Sequence, residues 1–90
     1  MANKDRSFHE APAKPGGEGW LFNQQQERLV HFKPEASTLH AEWVRVRTYG
    51  WVPPRPPVPM TERRMLRHNA IEVWTTMLKR GWVRCRPPVR

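Results

Sequence analysis

Cysteine is nearly absent: Cys85 is the single one in 90 residues. That excludes an intramolecular disulfide and every four-ligand zinc spacing built on cysteine pairs. No stretch approaches the 18 apolar residues of a membrane span, and residues 1–17 lack the apolar run of a secretory signal. The expectation is a cytoplasmic protein with no membrane partner, in which Cys85 is a packing or surface thiol. Acidic side chains are also few, eight against sixteen Lys and Arg. His9, His31, His40 and His68 show no metal-ligand spacing. There is no Gly-rich phosphate loop, and no serine or cysteine stands in a nucleophile motif. The chain is therefore expected to be no enzyme and to use neither metal nor cofactor.

What is present is aromatic and basic. Ninety residues suffice for one domain, and the 38% of apolar residues include five Trp, a large apolar payload for a small core. The net charge is +8, and twelve of the sixteen cations are Arg, the residue suited to bidentate carboxylate or phosphate contacts and to stacking on rings. Residues 61–90 hold eight of the cations and two of the acids, so most of the excess lies in the last third.

Along the chain, residues 1–18 mix charge, Pro, Gly and Ala with Phe8 as the one sizeable apolar group, and read as a disordered tail. A single α+β domain is expected over 19–88. Gly19–Asn23 and Arg28–Lys33, separated by Gln-Gln-Gln-Glu, form a plausible hairpin, with Leu29 and His31 on one face and Val30 and Phe32 on the other. A clearer strand runs from Glu42 to Tyr49: Trp43, Arg45 and Arg47 alternate with Val44, Val46 and Thr48, as in a half-solvated antiparallel sheet. Pro53, Pro54, Pro56, Pro57 and Pro59 make a stiff polyproline-like strap over 52–59. Its PxxP spacing also fits an aromatic groove on another protein, although a preorganised linker is the simpler role.

Met60 to Arg80 contains neither Gly nor Pro, and Leu66, Ala70, Val73, Trp74, Met77 and Leu78 recur at spacings of three and four. This predicts an amphipathic helix over about 61–80, capped by Thr61 and ended by Gly81. Its stripe of Leu66, Ala70, Trp74 and Met77 is expected to face the apolar side of the sheet. Trp20, Trp51 and Trp82 join Leu78 as further core candidates, and Trp82 to Cys85, extended again, is a candidate fourth strand.

Two basic groups stand out. Arg63, Arg64, Arg67 and His68 crowd the predicted helix start, where backbone amides already favour anions, so phosphate would meet N–H groups and guanidinium forks together. Glu62 and Glu42 are the carboxylates able to neutralise those Arg within the fold instead. Arg45 and Arg47 project from the third strand in line with Trp43, the combination with which exposed sheets hold phosphates and stack bases.

The pattern Gly19-Trp20-Leu21, then Phe32-Lys33-Pro34, a Trp-bearing strand, a Pro-rich stretch and Arg63-x-x-Leu66-Arg67-x-x-Ala70-x-x-x-Trp74-x-x-x-Leu78-x-x-Gly81-Trp82 resembles the domain-of-unknown-function 1651 family of small cyanobacterial proteins. The resemblance covers about residues 19–88. It implies a small stand-alone cyanobacterial protein and carries over no catalytic or binding residue.

The expected fold is α+β: three or four antiparallel strands packed against one C-terminal amphipathic helix. Open sheet edges make a homodimer feasible. Two functions of different class follow from the charge: contact with phosphates of RNA or DNA through Arg45, Arg47, Arg63, Arg64, Arg67 and His68, or an adaptor role on an acidic protein partner.

Overall fold

The computed structural model describes residues 18–35 and 41–88. The tail expected over 1–18 lies outside these apart from Glu18, as do His9 and His40. Among the described residues, five strands and one helix follow in the order β1 (Gly19–Asn23), β2 (Arg28–Pro34), β3 (Trp43–Gly50), β4 (Val58–Leu66), α1 (Arg67–Lys79) and β5 (Val83–Cys85). The strands form one antiparallel sheet in the spatial order β4-β3-β2-β1-β5. The α+β class holds with five strands rather than three or four, and the helix is followed by β5.

The β1–β2 hairpin closes through Gln24–Glu27. The Asn23 side-chain oxygen accepts from the Gln26 amide at 3.0 Å, and the Glu27 amide donates to the Gln24 carbonyl at 3.2 Å. Glu27 takes the left-handed backbone at φ 56°, a local strain that this turn holds in place. The closure sets Leu21 opposite Val30 and Trp20 opposite His31. Because side chains alternate across a strand, one parity then builds each face. Leu21, Val30, Phe32, Val44 and Val46 line one face, and Ala70 and Trp74 of α1 pack onto it, with Met65, Val73, Met77, Leu78 and Trp82 around them. The Trp74 ring meets Phe32 edge-on at 5.1 Å between centroids.

The largest departure from the sequence reading is β4. Residues 61–66 extend β3 as a strand instead of opening the helix, and α1 begins at Arg67, after Leu66, with no side-chain cap; Thr61 pairs with Thr48 and caps nothing. The strap is shorter as well, since Val58 and Pro59 already belong to β4. Register explains why: Trp43 to Thr48 pair residue by residue with Leu66 to Thr61, and the Arg67 amide still donates to the Glu42 carbonyl at 2.9 Å. A continuous ladder satisfies backbone groups that a helix start would leave without partners. Met60 is the extra residue of a bulge between the Thr48–Thr61 and Tyr49–Pro59 pairs.

The helix stops as the sequence signals. Gly81 sits at φ 102°, its amide donates to the Leu78 carbonyl at 3.3 Å, and the Trp82 amide donates to the Met77 carbonyl at 3.1 Å. This is the paired closure that requires a left-handed residue after the last turn, and it folds Trp82 back onto the core. Replacing Trp74, the largest side chain that α1 buries, by Ala is expected to cost about 3–5 kcal/mol. Equilibrium denaturation measures this; an Ala variant that unfolds with wild type would show that Trp74 is not a core residue.

Candidate functional site

Residues opposed across a ladder share a face, so the register maps the face that α1 leaves uncovered. One cross-strand row reads Phe22, Leu29, Tyr49 and Pro59, and the next reads Trp20, His31, Arg47 and Glu62. A third row opposes Lys33, Arg45 and Arg64. At the far end Trp43 opposes Leu66, with Glu35 beside it, the Glu35 amide donating to the Trp43 carbonyl at 2.9 Å. A band of cations thus lies between aromatic rings.

The aromatic end is ordered by stacking. Trp20 lies on His31 with centroids 4.0 Å apart and 12° between planes, and Tyr49 follows at 6.0 Å from Trp20. Phe22 meets Trp51 edge-on at 4.9 Å, and the Trp51 indole N–H donates to the Arg55 carbonyl at 2.8 Å, tying the proline strap down beside this end. Leu29 is fully buried on this side. Trp20 and Trp51, expected in the core, stand instead among these rings and outside the cluster that packs on α1. Leu66 shares the side of Trp43, since its strand position, not a helix position, fixes its direction.

The cationic band is held by two carboxylates. Glu35 accepts from Arg45 at 2.8 Å through Nε and 2.6 Å through a terminal nitrogen, and from Arg64 Nε at 2.9 Å. Glu62 lies 3.0 Å from Arg47 Nε and 3.3 Å from Arg45 Nε. Desolvation works to raise the Glu35 carboxyl, but the hydrogen bonds and charges of Arg45 and Arg64 together outweigh it and hold the group below its ordinary 4.5. Tyr49 first, and then Glu62, hold Arg47 more firmly protonated. The Arg64 guanidinium carbon stands 4.8 Å over the Trp43 ring, a cation–π contact. For Lys33 no ion pair is seen among the described residues.

The structure separates the basic residues that a helix start would have gathered. Arg63 and Arg64 are consecutive in β4 and so fall on opposite faces, Arg64 beside Arg45 and Arg63 on the helix side. Arg67 is the first residue of α1, 3.6 Å from Glu42, and His68 follows it, exposed. Arg45, Arg47 and Arg64 are brought together; Arg63, Arg67 and His68 are not. Sequence reasoning left out Lys33 and Glu35, although the parity that pairs Leu29 with His31 also places Lys33 on this face. Burial pushes the Cys85 thiol up to about 11, so it stays protonated and is a poor nucleophile.

His31 is buried beneath Trp20, and its Nε2 lies 2.9 Å from a Glu18 carboxylate oxygen. Burial lowers its pKa below 6.5; Glu18 opposes the shift but is more than half exposed, while Arg47 and Lys33 reinforce it. The folded state therefore binds this proton less readily than the unfolded chain. The associated stability is present above about pH 6.5 and is lost as pH falls from there through the lower folded-state value. Denaturant midpoints between pH 7.5 and about pH 5 should fall for wild type and fall less for His31→Gln; equal slopes would remove His31 as the titrating group.

No curated protein and no solved structure matches the chain. A family does: the one described as "Protein of unknown function (DUF1651)" matches residues 18–89, which takes in β1 to β5 and α1, and the chain belongs to that family.

Proposed function

We propose that this protein is a non-catalytic nucleic-acid-binding protein whose uncovered sheet face takes a single strand of RNA or DNA. The observation that carries the reading is the row of three cations, Lys33, Arg45 and Arg64, opposed on three neighbouring strands, with Arg47 in the adjoining row. Like charges directly opposed across a ladder are unfavourable in the isolated fold, and Glu35 and Glu62 offset only part of that repulsion. A polyanion turns the same row into a favourable site. Trp43 at one end and Trp20 and Tyr49 at the other supply rings for bases, and six residue steps along β3 lead from Trp43 to Tyr49, about 20 Å of extended chain. That length suits the shorter single-strand sites, about four nucleotides. Duplex reading generally uses a helix or ribbon that enters a groove, whereas a flat face with rings suits unstacked bases. We place the binding in the cytoplasm, consistent with a lone reduced thiol at Cys85.

Fluorescence anisotropy with a labelled oligouridylate and a labelled oligothymidylate tests this. Binding should weaken steeply between about 50 and 200 mM salt, and Lys33→Gln or Arg64→Gln should each lower the slope of log K against log salt by about 0.7. Arg63→Gln, next to Arg64 in sequence but on the opposite face, should change the slope far less. Absence of salt-sensitive binding to any oligonucleotide overturns the proposal, and an acidic protein retained from the native cell after nuclease treatment would then favour the adaptor role instead.

A further inference from the structure

The Glu35 carboxylate sits where two guanidinium groups converge from different strands. Arg45 of β3 reaches it through Nε and a terminal nitrogen, and Arg64 of β4 reaches its other oxygen through Nε. Three charge-assisted donors thus grip one anion, at a residue whose side chain is 19% exposed. Arg64 is at the same time braced on the Trp43 ring. Two guanidinium groups converging on one planar oxyanion, next to a ring, match the requirements of a nucleotide: the guanidinium groups fit a phosphate, and a ring stands nearby for its base.

We infer that Glu35 occupies a phosphate position: the fork of Arg45 and Arg64 is an anion site that this carboxylate fills in the free protein and that a backbone phosphate of a single-stranded nucleic acid takes over on binding. The inference rests on the proposed function and adds a location and a competitor to it. Glu35 keeps the two Arg side chains extended and aimed while the site is empty of ligand, which limits the side-chain ordering needed on binding. It also competes with the ligand, so affinity is set below what the cations alone would give. Glu62 bridges Arg45 and Arg47 in a similar way but is half exposed and sits farther from Arg45, at 3.3 Å.

The test compares Glu35→Gln with Glu72→Gln. Both remove one negative charge, but Glu72 is on α1, at the opposite side of the sheet. Glu35→Gln should bind the oligouridylate several-fold more tightly than wild type at each salt concentration, with a salt slope close to that of wild type because the same phosphate contact is made in both; Glu72→Gln should stay near wild type. Equal gains in the two variants, or no gain in Glu35→Gln, would overturn the inference while leaving salt-sensitive binding by wild type intact. No binding by wild type would remove the proposed function itself. Should Glu35→Gln unfold, nitrogen-15 spectra of the wild-type Arg side chains decide the matter. Titrating in the oligouridylate should move the Nε–H signals of Arg45 and Arg64 before those of Arg28, Arg55 and Arg80, and unmoved Arg45 and Arg64 signals at saturation would overturn it.

Discussion

The pairing of β4 with β3 is the constraint from which the rest of the surface follows. It runs from Trp43–Leu66 to Gly50–Val58 and takes up a segment whose residues favour a helix. Had those residues stayed helical, β3 would be an edge strand, Arg64 would stand near Arg63 and Arg67, and no three-cation row would exist. With the ladder in place, the alternation of side chains decides everything else. Val44 and Val46 go to α1, while Trp43, Arg45, Arg47 and Tyr49 go to the other face, and Arg64 lands beside Arg45 instead of in the first turn of the helix.

Much of this was legible residue by residue. The alternation of β3 stands in the sequence because one face is apolar and the other charged, and Gly81 followed by Trp82 marks the helix end by backbone chemistry alone. β4 was not legible, for a physical reason. Glu62, Arg63, Arg64, Met65 and Leu66 are all good helix formers, and most of the strand is exposed, so no alternation of apolar and polar residues marks it. Propensity differences of a few tenths of a kcal/mol per residue yield to a ladder that satisfies a strand's backbone groups. The misplaced helix start carried the site with it. Arg63, Arg64 and Arg67 looked like one cluster because a helix would have wound them into a single turn, and a strand does not.

The two faces of the sheet are stabilised by different means. The helix side is a small apolar core in which Trp74 and Phe32 supply most of the ring area. The uncovered side is held by stacking at one end and by charges shared among Arg45, Arg47, Arg64, Glu35 and Glu62 at the other. Solvent weakens exposed ion pairs, so the second side adds order more than stability. Stability therefore rests largely on the face that α1 covers, and the surface of the other is free to carry an unfavourable row of like charges.

The place of β5 has a consequence in time. It lies against β1, with Trp20 opposite Cys85, so strands about 65 residues apart in sequence are neighbours in the sheet, and α1 carries the chain from one outer strand to the other. During synthesis the hairpin and β3 can pair early, but β1 keeps an open edge until the segment beyond Gly81 has left the ribosome. The edge strand beside the aromatic end is thus added last, and a partly made chain presents its rings and cationic rows before it presents a finished sheet.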